Sequence, residues 1–162
     1  MFCTNCGAQI GDDFKFCGEC AHPVKGAKNP QSTMSDPEPI TGLRLNYVAY
    51  RSHFRFSLKE KDGVVLFSCN YFKQGFGDII QEDVSVDPAY MRELREFVQK
   101  NDYIHLKDND PSTRKYRESD EPDCNLTLEW EDYKPLLIRS TRLPPNGGEL
   151  REFFKRIAED ER

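Results

Sequence analysis

No stretch of this 162-residue chain approaches the ~20 consecutive apolar residues that a membrane-spanning helix needs. Its first residues, Met1-Phe2-Cys3-Thr4-Asn5-Cys6, have neither a charged n-region nor an apolar h-region, so a secretory signal is not expected. An excess of positive charge is missing as well. Lys and Arg number 23 against 28 Asp and Glu, for a formal net charge of −5. A generally basic nucleic-acid binder is therefore not the default reading. There is no glycine-rich phosphate loop, no Gly-x-Ser-x-Gly and no His-Glu-x-x-His. Histidine is scarce, with only His22, His53 and His105. These gaps argue against an enzyme. What is present argues against wholesale disorder: aromatic residues make up 12% of the chain, and disordered chains are poor in such side chains.

The six cysteines organise the chain. Cys3 and Cys6 form one Cys-x-x-Cys pair and Cys17 and Cys20 another, with residues 7–16 between them; Cys69 and Cys124 stand alone. Each pair can close as a tight knuckle whose two sulfurs converge. Two knuckles face to face offer four thiolates in a tetrahedron, which suits Zn²⁺ at ~2.3 Å. Gly7 follows Cys6, where a positive φ is wanted. Ala21 follows Cys20, so the second knuckle is expected to close with modest strain. A pair of disulfides would suit a secreted chain but would leave two cysteines over. A thioredoxin-like redox motif needs a βαβ context that is absent here. Iron also accepts an all-thiolate site; zinc is the usual occupant of a closed one.

Size points the same way. Residues 1–24 offer only Phe2, Ile10, Phe14, Phe16 and Val24 as a core. So few side chains cannot offset the entropy of ordering the segment. Zinc binding supplies an apparent ~10–16 kcal/mol in such small modules. The segment is expected to be unfolded without metal.

The phrase Phe2-Cys3-Thr4-Asn5-Cys6-Gly7-Ala8-Gln9-Ile10, followed by Phe16-Cys17-Gly18-Glu19-Cys20, resembles the short zinc-ribbon family found at the N-termini of many bacterial and archaeal proteins. The resemblance covers residues 2–24 and implies one structural Zn²⁺ held by Cys3, Cys6, Cys17 and Cys20. It is specific for metal and uninformative about task, because family members are fused to very different partners. His22 reads as a surface residue beside a complete Cys₄ site.

From residue 25 to 41 the composition shifts to small polar residues with Pro30, Pro37 and Pro39, which reads as a flexible linker. Residues 42–162 are long enough for one core. Val48, Tyr50, Phe54, Phe56 and Leu58 fall at even positions, the period of a single half-buried strand. Lys61-Asp62-Gly63 supplies a turn, and residues 64–72 supply a second strand to complete a hairpin. Gly75-Phe76-Gly77 interrupts, and a third, less regular strand spans 79–86. Asp87-Pro88 opens a helix whose face carries Tyr90, Leu94, Phe97 and Val98. Residues 107–123 form a charged loop. Strands follow at 125–130 and 135–140, and a final helix spans 149–158, with Leu150, Phe153, Phe154 and Ile157 at helical spacing. The expected class is α+β: a small Cys₄ zinc ribbon plus an antiparallel sheet domain with two helices on one face.

Other constellations read as structural. Arg51-x-His53-x-Arg55 could meet an anion but fits a solvated sheet face. His105 reads as a hydrogen-bonded structural residue, with no nucleophile or carboxylate pairing evident. Cys69 and Cys124 read as buried small hydrophobes, since a second metal site would need two further ligands. Asp108-Asn109-Asp110 lacks the Gly and Glu of a calcium loop. Arg114-Lys115-Tyr116-Arg117 belongs to a mixed-charge loop. Residues 1–41 carry three lysines against five acids, leaving 20 basic and 23 acidic residues to 42–162. Neither part favours phosphate overall. The expectation is a cytoplasmic, non-enzymatic interaction or adaptor protein whose partner is protein. A nucleic-acid-associated accessory factor is the alternative, an enzyme with its site in residues 42–162 is the third and less favoured reading, and no membrane partner is expected.

Overall fold

The computed structural model describes residues 2, 6–9, 18–20, 39–110 and 120–161. Among them lie six strands and two α-helices, an α+β arrangement. Strands β1 (Gly42–Ala49), β2 (Ser52–Lys61), β3 (Val64–Lys73) and β4 (Gly77–Val86) follow one another as antiparallel hairpins. Helix α1 (Ala89–Lys100) and a 3₁₀ turn (Tyr103–His105) come next, then β5 (Asp123–Glu129), β6 (Leu136–Ser140) and α2 (Gly147–Asp160). The sheet order is β4-β3-β2-β1-β5-β6. After α1 the chain returns to pair β5 with the free edge of β1.

The single strand expected across 48–58 is instead a hairpin. Ala49 pairs with Ser52, and Tyr50-Arg51 is the loop. Val48 and Tyr50, read as core-facing, are 48% and 78% exposed. On β1 the inward positions are odd: Leu43 and Leu45 are fully buried, and Tyr47 packs beside them. The even parity continued across the turn by coincidence. No glycine or asparagine marks the loop, because neither of its residues takes a positive φ.

Other turns form where their residues require them. Asp62 and Gly63 both have positive φ, 54° and 78°, the backbone of a two-residue hairpin loop matched to strand twist. The irregular third strand has a physical cause. Phe67 pairs with Val84 but Cys69 with Gln81, so β4 holds one extra residue opposite Ser68. Asp83 sits there at φ 47°, and its N–H donates to the Ser68 hydroxyl at 2.9 Å. At α1 the Asp87 carboxylate accepts the Ala89 N–H at 2.9 Å, and Pro88 already has helical dihedrals.

One face of the sheet carries the core. Leu43, Leu45, Phe54, Phe56, Leu58, Phe67, Leu126 and Leu128 lie on it in register, and Leu94, Leu150, Phe154 and Ile157 of the helices are buried with them in the same cluster. Phe154 stacks on Phe56 at 5.2 Å between ring centroids. Met91 joins this core beside the helix positions that periodicity had marked. Arg95 of α1 reaches back, donating to the Ile40 carbonyl at 2.9 Å and to Glu60 at 2.5 Å. The folded unit therefore includes Ile40, which is buried, and Thr41, whose N–H donates to the Glu129 carbonyl. Composition alone had placed both at the end of the linker.

Candidate metal centre and the basic cleft

At the N-terminus, Phe2 and Gln9 pair as an isolated antiparallel bridge. In sequence the bridge spans Cys3 and Cys6. Gly7 takes φ 75° directly after Cys6, the left-handed step that a knuckle needs and that a side chain would strain. Gly18, Glu19 and Cys20 form a turn at the second pair. Cys6 is exposed and Cys20 half-buried, while Cys3 and Cys17 lie outside the described residues, as do Ala21 and His22. Among the described residues no three His, Cys, Asp or Glu side chains converge as they would on a metal ion. The donor chemistry of the two Cys-x-x-Cys pairs and the positive φ of Gly7 after Cys6 nevertheless fit a thiolate-bound ion.

A family model described as a zinc-ribbon domain matches residues 2–24. The chain carries an N-terminal zinc-ribbon domain. That domain implies zinc binding. No family model matches the remainder. No curated protein and no solved structure matches the chain. Among the described residues, no helix is long and apolar enough to cross a membrane.

Beyond the ribbon, the sheet domain settles several residues. Cys69 and Cys124 are both buried, on β3 and β5. Strands β2 and β1 lie between these strands, so three inter-strand spacings alone put the two positions at least about 14 Å apart, far too much for one ion. Burial pushes the Cys124 thiol up to about 11, and the Cys69 thiol lies 3.8 Å from the Gln81 side-chain oxygen. Asp108 and Asp110 grip Arg139 of β6 at 2.7 and 2.9 Å instead of a cation. The hydrogen bonds from Arg139 hold the Asp108 carboxyl below its ordinary range, and burial partly opposes this. Asn109 N–H also donates to the Arg139 carbonyl, so this segment covers part of the outer edge of β6. The basic cluster at residues 114–117 lies outside the described residues.

His105 does have a carboxylate partner, which linear reading missed. Its Nδ1 is 2.6 Å from Asp102, which sits in the left-handed region at φ 51° just past the end of α1. Both side chains are exposed, and the contact is an i,i+3 pair across the 3₁₀ turn. Tyr103 beside them is buried, and its hydroxyl donates to the Pro145 carbonyl at 2.6 Å. Burial raises the pKa of that phenol first, with smaller contributions from Cys124 and Glu149.

His53 lies elsewhere, in a cleft of about 370 Å³ at one end of the sheet. Arg51 and His53 enter from the start of the β1–β2 hairpin, Tyr71 and Phe72 from the end of β3, and Arg151 and Lys155 from α2. Arg55, the third member of the sequence stripe, does not line it; it projects from the outer sheet face, in register with Asn46 and Asn70. No carboxylate is among the lining residues, so no lining acid orients His53 as a general base. Sequence reading could not find Arg151 and Lys155. Their lysine-and-arginine spacing on a helix is common, and only the fold brings them to the hairpin.

Proposed function

We propose that the protein is a non-enzymatic, zinc-containing interaction protein. One structural Zn²⁺ bound by Cys3, Cys6, Cys17 and Cys20 shapes the ribbon into a docking head, and the sheet domain binds a protein partner. The reading places the chain in the cytoplasm, where thiols stay reduced. The observation that carries it is the sheet face that neither helix covers among the described residues. Both helices bury their apolar sides in the core on one face, while the other face presents its side chains outward. Arg55, Asn46, Asn125 and Arg139 run in register across four strands there. Exposed Val48, Phe72, Ile80 and Leu137 lie on that same side of the pleat. A mixed polar surface with scattered large apolar groups suits a transient protein interface.

Capture of partners by tagged protein tests this. Wild type, Cys17→Ser and the outer-face variants Ile80→Asp and Leu137→Asp are compared. Loss in Cys17→Ser assigns recognition to the ribbon, and loss in the outer-face variants assigns it to the sheet. Capture that persists in a protein carrying all three changes would sink the reading.

A second reading, a nucleic-acid-associated accessory factor, is favoured by one feature: cations seated on aromatic rings at the β1–β2 end of the sheet. The net acidity of both parts opposes it. Steep loss of DNA or RNA affinity with salt would support this reading, and no binding at low salt would remove it.

A further inference from the structure

We propose that the free edge of β4 takes up an extended peptide segment as a seventh strand, one whose Lys or Arg residues alternate with apolar ones. The site rests on the reading that the sheet domain binds a protein, and it adds the place and the chemistry of that partner.

The sheet ends on β4 and β6, and the two edges differ. β6 is 5 residues long, and Asn109 donates to its Arg139 carbonyl at 2.8 Å. β4 is 10 residues long, and no backbone bond from another described segment reaches its outer side. An edge strand turns alternate N–H and C=O groups away from its neighbour, which makes it a template for one more strand. Lys, Pro, a bulge or a covering segment usually blunts such an edge. β4 contains neither Lys nor Pro. Its bulge at Asp83 leaves Asp78–Glu82 as a regular run, close to the common strand length of ~5–6 residues.

Charge selects which strand can add. From Gly77 to Asp87 the chain carries Asp78, Glu82, Asp83 and Asp87 and no Lys or Arg. Pairing with β4 of a second copy would set these carboxylates against one another, and like charges across a strand pair are destabilising. The last turn of α2 adds to the same field. Gln81 Nε2 donates to the Ala158 carbonyl at 3.4 Å and Lys73 meets Glu159 at 2.6 Å, so this turn lies over the β3–β4 hairpin. The turn and its cap hold Glu159, Asp160 and Glu161 and no basic residue. Carboxylates there oppose the negative end of the helix dipole, a conflict that a cationic partner relieves. Lys59 pairs with Asp83 at 3.3 Å and Lys73 with Glu159, so the field stays acidic.

Side-chain parity sets the alternation. Asp78, Ile80 and Glu82 are exposed, and Asp78 and Ile80 stand on the outer side of the pleat, in register with Phe72 and Asn70. Ile79, on the core side, is half-buried and packs against the core. Successive side chains of an added strand point to opposite faces. On the outer side Lys or Arg reaches the acids while its stem lies on Ile80. On the core side apolar residues extend the cluster past Ile79.

The test is fluorescence anisotropy of labelled octapeptides with the full chain, zinc present, at low and moderate salt. Alternating Lys–Val is expected to bind, more weakly as salt rises. Alternating Glu–Val, octalysine, and Lys–Val N-methylated at successive central amides are expected to bind at least about tenfold more weakly. That methylation removes donors from both edges of the peptide. Asp78→Lys and Glu82→Lys are each expected to weaken Lys–Val about tenfold, whereas Leu137→Asp on the opposite edge strand leaves it unchanged. All three positions are exposed, so the core stays intact. Amide hydrogen exchange should slow in β4 on binding and not in β6. Lack of Lys–Val binding at low salt would overturn the proposal. So would equal binding of octalysine or of the methylated peptide, protection that omits β4, indifference to both Lys substitutions, or a chain that self-associates through β4 without peptide. Captured partners without peptide binding would remove this site and leave the protein-interaction reading in place; absence of both would remove both.

Discussion

The zinc ribbon and the sheet domain differ in what they bury. Among the described residues of the zinc ribbon none is buried, and Phe2 is 69% exposed. The sheet domain places Phe56, Phe67, Leu58, Leu94 and Phe154 entirely out of solvent. In the proposed reading, one region relies on a few strong metal–thiolate bonds between residues close in sequence. The other relies on many weak contacts between residues far apart. On that reading the first is readable from spacing and is expected to depend on four side chains; the second tolerates single changes in proportion to the volume they remove.

The largest effect should come from stripping the metal or from Cys17→Ser. Either is expected to abolish the ordered amide spectrum of the ribbon, which forfeits an apparent ~10–16 kcal/mol, while the sheet domain keeps its dispersed signals and its Tm. If both sets collapse together, the two regions are one cooperative unit and the contrast fails. Phe154→Ala attacks the opposite side. Its ring stacks on Phe56 and lies 6.3 Å from Phe67, so its removal is expected to cost about 3–5 kcal/mol in denaturant unfolding, with zinc content unchanged. A lowered zinc content would show that the ribbon depends on the core.

Gly147→Ala should act on the sheet domain alone. A Cβ there would stand 2.6 Å from the Leu143 Cβ, so overpacking is expected to cost about 1–3 kcal/mol, read from the shift in denaturation midpoint. Tyr90→Phe removes a 2.7 Å bond to Asp160 that joins α1 to α2 and is expected to cost about 0.5–1.5 kcal/mol. The hydrogen bond to Asp160, followed by burial, pushes the Tyr90 phenol up to about 12. Because the folded value is the higher one, its contribution is complete below the ordinary tyrosine value of ~10 and is lost as pH rises through about 12. Absorbance titration of wild type against Asp160→Asn checks this, and an unshifted phenol in both would refute it. The smallest effect belongs to Asp108→Asn, about 0–1 kcal/mol at neutral pH for an exposed pair. The Asp108 carboxyl titrates lower when folded, so its contribution is present above ~3.9 and disappears as pH falls through the lowered folded value. Acid unfolding curves of the two proteins should converge there.

Local signals proved reliable where one or two residues dictate a backbone state. Asp62-Gly63 closes its hairpin with positive φ at both positions, and the Asp87 side chain caps α1 at Pro88. The spacing of Leu150, Phe154 and Ile157 identifies the buried stripe of α2. The failures came where a turn needs no special residue. Tyr50-Arg51 reverses the chain without a positive φ, so β1 and β2 read as one strand and β1 appeared with its faces inverted. Asp102 likewise gave no linear sign that it would meet His105, because the contact depends on a left-handed residue at the end of a helix.

By itself the sequence determined the ribbon's thiol spacing, the α+β class and most element ends, because each follows from bonds or dihedrals within a few residues. The fold alone decided that β5 returns to pair with β1, that Asp108 and Asp110 serve Arg139, and that Arg151 and Lys155 meet Arg51 and His53 at one cleft. Such meetings bring together residues up to about a hundred positions apart. They depend on the summed burial of an entire core, which no short stretch of sequence encodes.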